Sequence, residues 1–130
     1  MGIFDKIFGA SENDKVDKNK IEWNLLTDLS QIEDIIEESK NIPIIIFKHS
    51  TRCGISRMAL NGFERDYSLP AETIKPYFLD LLNYRDISNE VASRFGVWHE
   101  SPQLLIIKNG EVVHHSSHGQ INAQMIEEFS

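Results

Sequence analysis

Cys53 is the sole cysteine of the chain, and Ser56 stands three residues after it. Cys53-Gly54-Ile55-Ser56 is the C-x-x-S form of the two-cysteine redox motif, with a hydroxyl where the second thiol would stand. A thiolate at the first position can attack a disulfide, but it has no neighbour with which to close one. An apolar run precedes Cys53 and a helix-like stretch follows it, so the sulfur is expected at a strand-to-helix junction, in the first helical turn. Unpaired backbone N–H groups and the helix dipole favour negative charge there. Arg52 adds a positive neighbour, and Ser56 is placed to donate a hydrogen bond to the sulfur. Arg52, Gly54 and Ser56 form the expected thiolate-supporting set. A buried structural cysteine is the competing reading; the flanking Thr51, Arg52 and Gly54 argue against it.

Ser101-Pro102 is the second chemical feature, just ahead of the apolar run Gln103 to Ile107. A cis bond there turns the chain sharply and leaves the Ser101 backbone free to hold an extended substrate. A trans proline at a strand start is equally compatible with the residues. Thr51, Ser101 and Pro102 are therefore the expected substrate contacts. His49 lies close enough in sequence to tune the thiolate. His49, His99, His114, His115 and His118 do not make a metal set: His114 and His115 point to opposite faces of a strand, and no thiol or carboxylate falls at ligand spacing. No metal and no resident cofactor is expected.

The elements around these residues follow from periodicity. The 130-residue length suits one core. Trp23 to Leu26 is a weak strand. Ser30 to Lys40 carries Ile32, Ile35 and Ile36 at helical spacing, with an acidic solvated face. Ile44 to Phe47 reads as a central strand buried on both sides. Ile55 to Tyr67 reads as a helix. Tyr77 to Leu81 is a strand, and a helix capped at Asp86 or Ser88 runs to Phe95, with Gly96 just past its end. Gln103 to Lys108 and Glu111 to His115 form a hairpin on the type I′ turn Asn109-Gly110. Asn122 caps a last helix, Ala123 to Phe129. The order β-α-β-α-β-α-β-β-α implies an α/β domain over residues 21–130, with parallel early strands, an antiparallel edge and helices on both faces. Residues 1–20 read as a separate segment: Ile3, Phe4, Ile7 and Phe8 have short amphipathic spacing, and Ser11 to Lys20 resembles a flexible linker. Gly2 invites myristoylation, but Lys6 stands where Ser or Thr is needed.

Thirteen Lys and Arg against 20 Asp and Glu give a formal charge of −7. No basic cluster suggests nucleic acid. No apolar stretch reaches bilayer length. One cysteine excludes an internal disulfide framework, and a reducing cytoplasm is the expected compartment.

Ala92-Ser93-Arg94-Phe95-Gly96-Val97, Ser101-Pro102-Gln103-Leu104-Leu105-Ile106 and Lys108-Asn109-Gly110-Glu111-Val112 resemble the second half of thioredoxins. Phe47-Lys48-His49-Ser50-Thr51-Arg52-Cys53, Ile55-Ser56-Arg57-Met58-Ala59 and Phe95-Gly96-Val97-Trp98-His99 more closely resemble the monothiol bacilliredoxins, the YtxJ family. Gly54 departs from them, standing where many relatives carry proline. The resemblance, over about Ile21 to Phe129, implies a thioredoxin-like mixed sheet of about five strands flanked by helices, with a cis Pro102 facing Cys53. It also implies a monomeric cytoplasmic enzyme that removes bacillithiol, a small thiol of Gram-positive bacteria, from client proteins carrying it as a mixed disulfide. Bacillithiol is then a co-substrate. From charge alone, Arg52, Lys48 or His118 could hold the carboxylates of that thiol. Two alternatives stay open. One is a monothiol glutaredoxin-like iron–sulfur carrier, against which the chain lacks Thr-Val-Pro and a later cysteine. The other is a non-catalytic adaptor with the same fold.

Overall fold

The computed structural model describes residues 21–70 and 72–129; the expected segment 1–20 lies outside the described residues. These run β1 (Asn24–Leu25), α1 (Ser30–Glu38), β2 (Ile44–His49), α2 (Gly54–Asp66), β3 (Lys75–Asp80), α3 (Arg85–Phe95), β4 (Gln103–Lys108) and β5 (Glu111–Ser117). Two 3₁₀ turns follow, at His118–Gln120 and Ala123–Glu128. The strands form one sheet in the order β1-β3-β2-β4-β5. β1 pairs parallel with β3, and β3 with β2; β4 runs antiparallel to both β2 and β5. This is the mixed five-stranded sheet that the order of elements implies.

β2 lies at the centre, and all six of its residues are buried. Alternation along it sorts the side chains between two cores. Ile44 and Ile46 join Ile32 and Ile35 of α1 and Ile87 and Val91 of α3 on one face. Ile45 and Phe47 join Phe63 of α2, Ala123 and Ile126 on the other. Each of the isoleucine, valine and phenylalanine side chains among them contributes about 1.5–3 kcal/mol on leaving water. The same alternation sends Lys48 toward the α1/α3 face and His49 toward α2. β2 thus carries polar residues inward at the end where it delivers the chain to Cys53.

Gly96 closes α3 in the left-handed region at φ 67°, the conformation glycine adopts without strain. Asn109 and Gly110 both have positive φ, as the type I′ hairpin demands. Several elements differ from the sequence expectation; β2 and β5 each run two residues further, to His49 and Ser117. Pro76 lies inside β3, paired with Ile45. Lys75 N–H donates back to Pro43 on the β2 side, so the nitrogen of Pro76 faces the other way, where β1 has not begun. Neither Asp86 nor Ser88 caps α3, which starts at Arg85; Ser88 is one turn inside, with its hydroxyl turned to His99. The last element is 3₁₀, not α. Asn122 does cap it, accepting from Gln124 N–H at 2.8 Å. Ala123 and Ile126 are its buried residues, three apart, which is the 3₁₀ period. Among the described residues, no helix is long and apolar enough to cross a membrane.

Candidate active site

Cys53 occupies the N-cap of α2 with extended φ and ψ of −107° and 121°. That is one residue earlier than the first-turn position expected for it. The shift follows from the local hydrogen bonds: Cys53 N–H donates to Ser50 C=O at 3.2 Å, and Cys53 C=O accepts the first helical bond from Arg57 N–H at 3.1 Å. The side chain makes no capping hydrogen bond and is partly exposed. A sulfur there takes the position from which a Ser or Asp oxygen reaches the free N–H groups of a helix start. Thr51, Arg52 and Gly54 are all exposed around it. A Cβ placed on Gly54 would meet open space.

Ser56 is fully buried beneath this turn. Its Oγ accepts from Ser50 N–H at 3.0 Å and lies 2.8 Å from His49 Nδ1. With the backbone amide as its donor, the hydroxyl has its own hydrogen to give to the ring nitrogen. Burial pushes His49 down from the usual histidine pKa, while Asp80 pulls the other way and Arg57 adds to the lowering. A neutral ring with a free lone pair on Nδ1 suits that bond. The expected bond from Ser56 to the sulfur is therefore replaced by one to His49, and the hydroxyl supports the turn rather than the thiolate directly.

The Ser101-Pro102 bond is cis, which decides between the two forms the residues alone left open. Pro102 is buried, and its C=O accepts from His118 N–H at 3.1 Å. Ser101 Oγ is buried and has no partner among the described residues. His118 and Gly119 line a cleft of about 410 Å³ together with Ile55, Met58, Phe63 and Ile121. The cleft lies between α2, from Ile55 onward, and the turns at residues 118–124; His118, whose N–H donates to Pro102 C=O, is its link to the cis proline. Ile55 and Met58 expose 61% and 74% of their surface on this rim, and Trp98, four residues before Pro102, exposes 90%. Apolar surface concentrated at one end of a sheet is suited to receiving another chain.

Lys48 is placed differently from its expected role. It is fully buried, so it cannot hold a carboxylate at the surface. Its Nζ lies 3.4 Å from both Ser88 C=O and His99 Nδ1, and burial pulls its pKa from 10.5 to about 8. Arg52 and His118 remain exposed and free for that role. His99 and Trp98 fall in a stretch that carries the family resemblance, but sequence reasoning assigns neither of them a place in the site. The visible signal was Lys48 itself, which follows Ile44 and Ile46 on the inward phase of the strand.

A partly exposed thiol at a helix N-cap, at the same end of the sheet as a cis proline, can accept a disulfide and exchange with it. Similarity to known proteins agrees with that chemistry. A solved structure described as a candidate oxidoreductase with a thioredoxin fold is 34% identical, with a TM-score of 0.68, over 80% of this chain and 89% of that one. Thioredoxin from Trypanosoma brucei brucei is 17% identical with a TM-score of 0.63, over 82% of this chain and 86% of its own. Thioredoxin from Malassezia sympodialis is also 17% identical, with a TM-score of 0.64, over 85% and 89%. These last two show the fold alone. The family model described as monothiol bacilliredoxin BrxC matches residues 24–126 and so takes in both the cysteine turn and the cis proline. Family and fold support a thiol redox function, and the chain belongs to the monothiol bacilliredoxin family.

Proposed function

We propose that this protein is a monothiol thiol–disulfide oxidoreductase that removes bacillithiol from client proteins through Cys53. The Cys53 thiolate attacks the bacillithiol sulfur of a client mixed disulfide. The client sulfur leaves as a thiolate and takes a proton from solvent, so the client ends reduced and Cys53 carries the small thiol. A second bacillithiol thiolate then attacks the bacillithiol sulfur on Cys53. The products are bacillithiol disulfide and the Cys53 thiolate, and the electron count closes without a second protein thiol. Bacillithiol is a co-substrate in this cycle, and no resident cofactor takes part.

One observation carries the reading. The position of a resolving thiol holds Ser56, buried and engaged with Ser50 and His49, beside a lone, accessible Cys53. Thr51 and the Ser101 backbone would align the incoming disulfide. Arg52 and His118 would hold the carboxylates of the small thiol. The cytoplasm is the compartment that keeps such a thiol reduced.

The test is intact mass after incubation with bacillithiol disulfide and, separately, with glutathione disulfide. The expected result is one bacillithiol adduct on Cys53, removed by further bacillithiol, and turnover of a bacillithiolated peptide. Preference for glutathione would replace the small thiol in this reading. No adduct with either, together with no turnover, would favour an adaptor.

A further inference from the structure

Lys48, Ser88, His99 and Gln103 form a polar cluster under the loop that carries the chain from α3 to the cis proline. Lys48 ends β2 on the face otherwise filled by Ile44 and Ile46. Gln103 is its partner across the β2–β4 ladder. From these two residues and α3, the loop is tied at successive positions. Gln103 Nε2 donates to Trp98 C=O at 2.9 Å. His99 Nδ1 faces Lys48 Nζ at 3.4 Å and Ser88 Oγ at 3.2 Å. Glu100 meets Ser117 Oγ of β5. Trp98 itself has 90% of its surface in water. Its position is therefore set by these ties on its neighbours and its own backbone, not by packing of its ring.

We propose that Lys48 and His99 act as a clamp that holds residues 98–101 in the shape that receives a client, which makes both of them positioning residues for exchange at Cys53. This rests on the exchange function proposed above. A fully buried ammonium without a carboxylate partner is costly, and the contacts Lys48 makes are long. The cluster is poor as a device for stability and well placed as one for loop geometry. Lys48 reaches α3 and the loop at once, and the loop leads within three residues from His99 to Pro102.

The clamp depends on one charged and one neutral partner. His99 Nδ1 accepts only while that nitrogen is unprotonated. Burial lowers the His99 pKa, Lys48 and Arg85 lower it further, and Glu100 opposes them. Lys48 donates as an ammonium until its proton leaves at about pH 8. The other groups facing the pair, Ser88 from α3 and Gln103 from β4, do not titrate. The clamp is therefore closed between the two titrations. It loosens on the acid side when two cations oppose each other, and on the alkaline side when the ammonium is lost.

The experiment uses the whole chain labelled with 5-fluorotryptophan, as wild type, Lys48→Met and His99→Phe. Methionine keeps the bulk of the lysine stem in the core. His99 is exposed, so its replacement leaves folding intact and the test does not depend on the buried variant. The ¹⁹F resonance of Trp98, assigned against Trp23, is followed over pH. In parallel, Cys53 is reacted with iodoacetamide, which needs no loop, and with a peptide mixed disulfide, which does. The expected wild-type resonance moves in two steps. Lys48→Met removes the alkaline step, and His99→Phe removes the acid one. Both variants slow the peptide reaction about tenfold and leave alkylation within about twofold. A Trp98 resonance with the same pH course in all three proteins overturns the clamp, as does alkylation falling in step with the peptide reaction. If wild type does not react with the mixed disulfide at all, the proposed function fails, while the fluorine signal still reads the clamp.

Discussion

Replacing Lys48 by methionine should stabilise the protein, and the gain should vanish at alkaline pH. Lys48 is fully buried, and burial draws its pKa from 10.5 to about 8. A displacement of that size corresponds to about 3 kcal/mol of preference for the neutral form in the folded state. The sign follows from proton counting. Below about pH 8 both folded and unfolded chains hold the proton, and the folded state bears the whole cost of a buried charge. Between about pH 8 and 10.5 the unfolded chain still holds a proton that the folded chain has lost. Wild-type stability therefore gains from rising pH across that window. Methionine has no proton to lose, and it accommodates irregular space in a core. At pH 7 Lys48→Met should unfold at about 1–2 M higher urea than wild type. The difference should shrink by about 3 kcal/mol as pH rises from 8 to 10.5. Urea titrations of both proteins across pH 6.5–10.5 measure it, with other titrating groups cancelling in the difference. A pH-independent gap, or a variant less stable than wild type at pH 7, refutes the reasoning, because Lys48 would then have an anionic partner or access to water.

Gly54→Pro should raise stability by about 0.4–1 kcal/mol. Gly54 is the first residue of α2, and a Cβ added to it would meet open space. Proline is favoured at that helix position; thermal unfolding reads the change. Ser56→Ala should cost about 1–3 kcal/mol, since it leaves Ser50 N–H without the acceptor it now has; denaturant unfolding of the variant tests this. Acid should destabilise the fold below pH 6.5. His49, His99 and His114 all have pKa values lowered by burial, so the unfolded chain takes up protons that the folded one refuses, and stability falls as pH drops. His49→Gln should flatten that slope in unfolding curves taken between pH 4.5 and 7. Cys53→Ser should abolish adduct formation, read by intact mass, and leave the unfolding free energy from urea titration within about 0.5 kcal/mol of wild type.

Most of the frame was legible because it rests on local rules. Ile44 to Phe47 has the unbroken apolar pattern that only a doubly covered strand can use, and β2 lies between two cores. Gly96, Asn109 and Gly110 announced positive φ by their residue types and have it. What escaped depends on long-range geometry. The cis state of Pro102 is a small free-energy choice made by the surrounding turn, not by the two residues. The burial of Lys48 required knowing that β2 continues past its apolar run as far as His49. Its contacts to Ser88 and His99 span 40 and 51 residues, distances over which periodicity carries no information. The strand expected from Tyr77 starts earlier, at Lys75, and takes in Pro76: the local rule against proline in strands yields where the adjacent edge strand is only two residues long.

Ser56 shows how the loss of a second thiol can be structural as well as chemical. A thiol at that place would be a weak acceptor for Ser50 N–H and a weak donor to His49. The hydroxyl does both well, at 3.0 and 2.8 Å. Ser50 in turn accepts from Cys53 N–H. The bonds therefore run from His49 in the core, through Ser56 and Ser50, to the backbone of the reactive residue. A dithiol protein must let its second sulfur move into bonding range of the first, so it cannot tie that side chain down. A monothiol protein is free to do so. If this chain of bonds sets the sulfur's position, Ser56→Cys should lose more than it gains. An internal disulfide becomes possible on oxidation, but in the reduced protein the Cys53 turn should loosen. Amide exchange at Ser50 should then rise relative to wild type. Unaltered protection of that amide in the reduced variant would mean that the turn is held by the Cys53–Ser50 and Arg57–Cys53 backbone bonds alone.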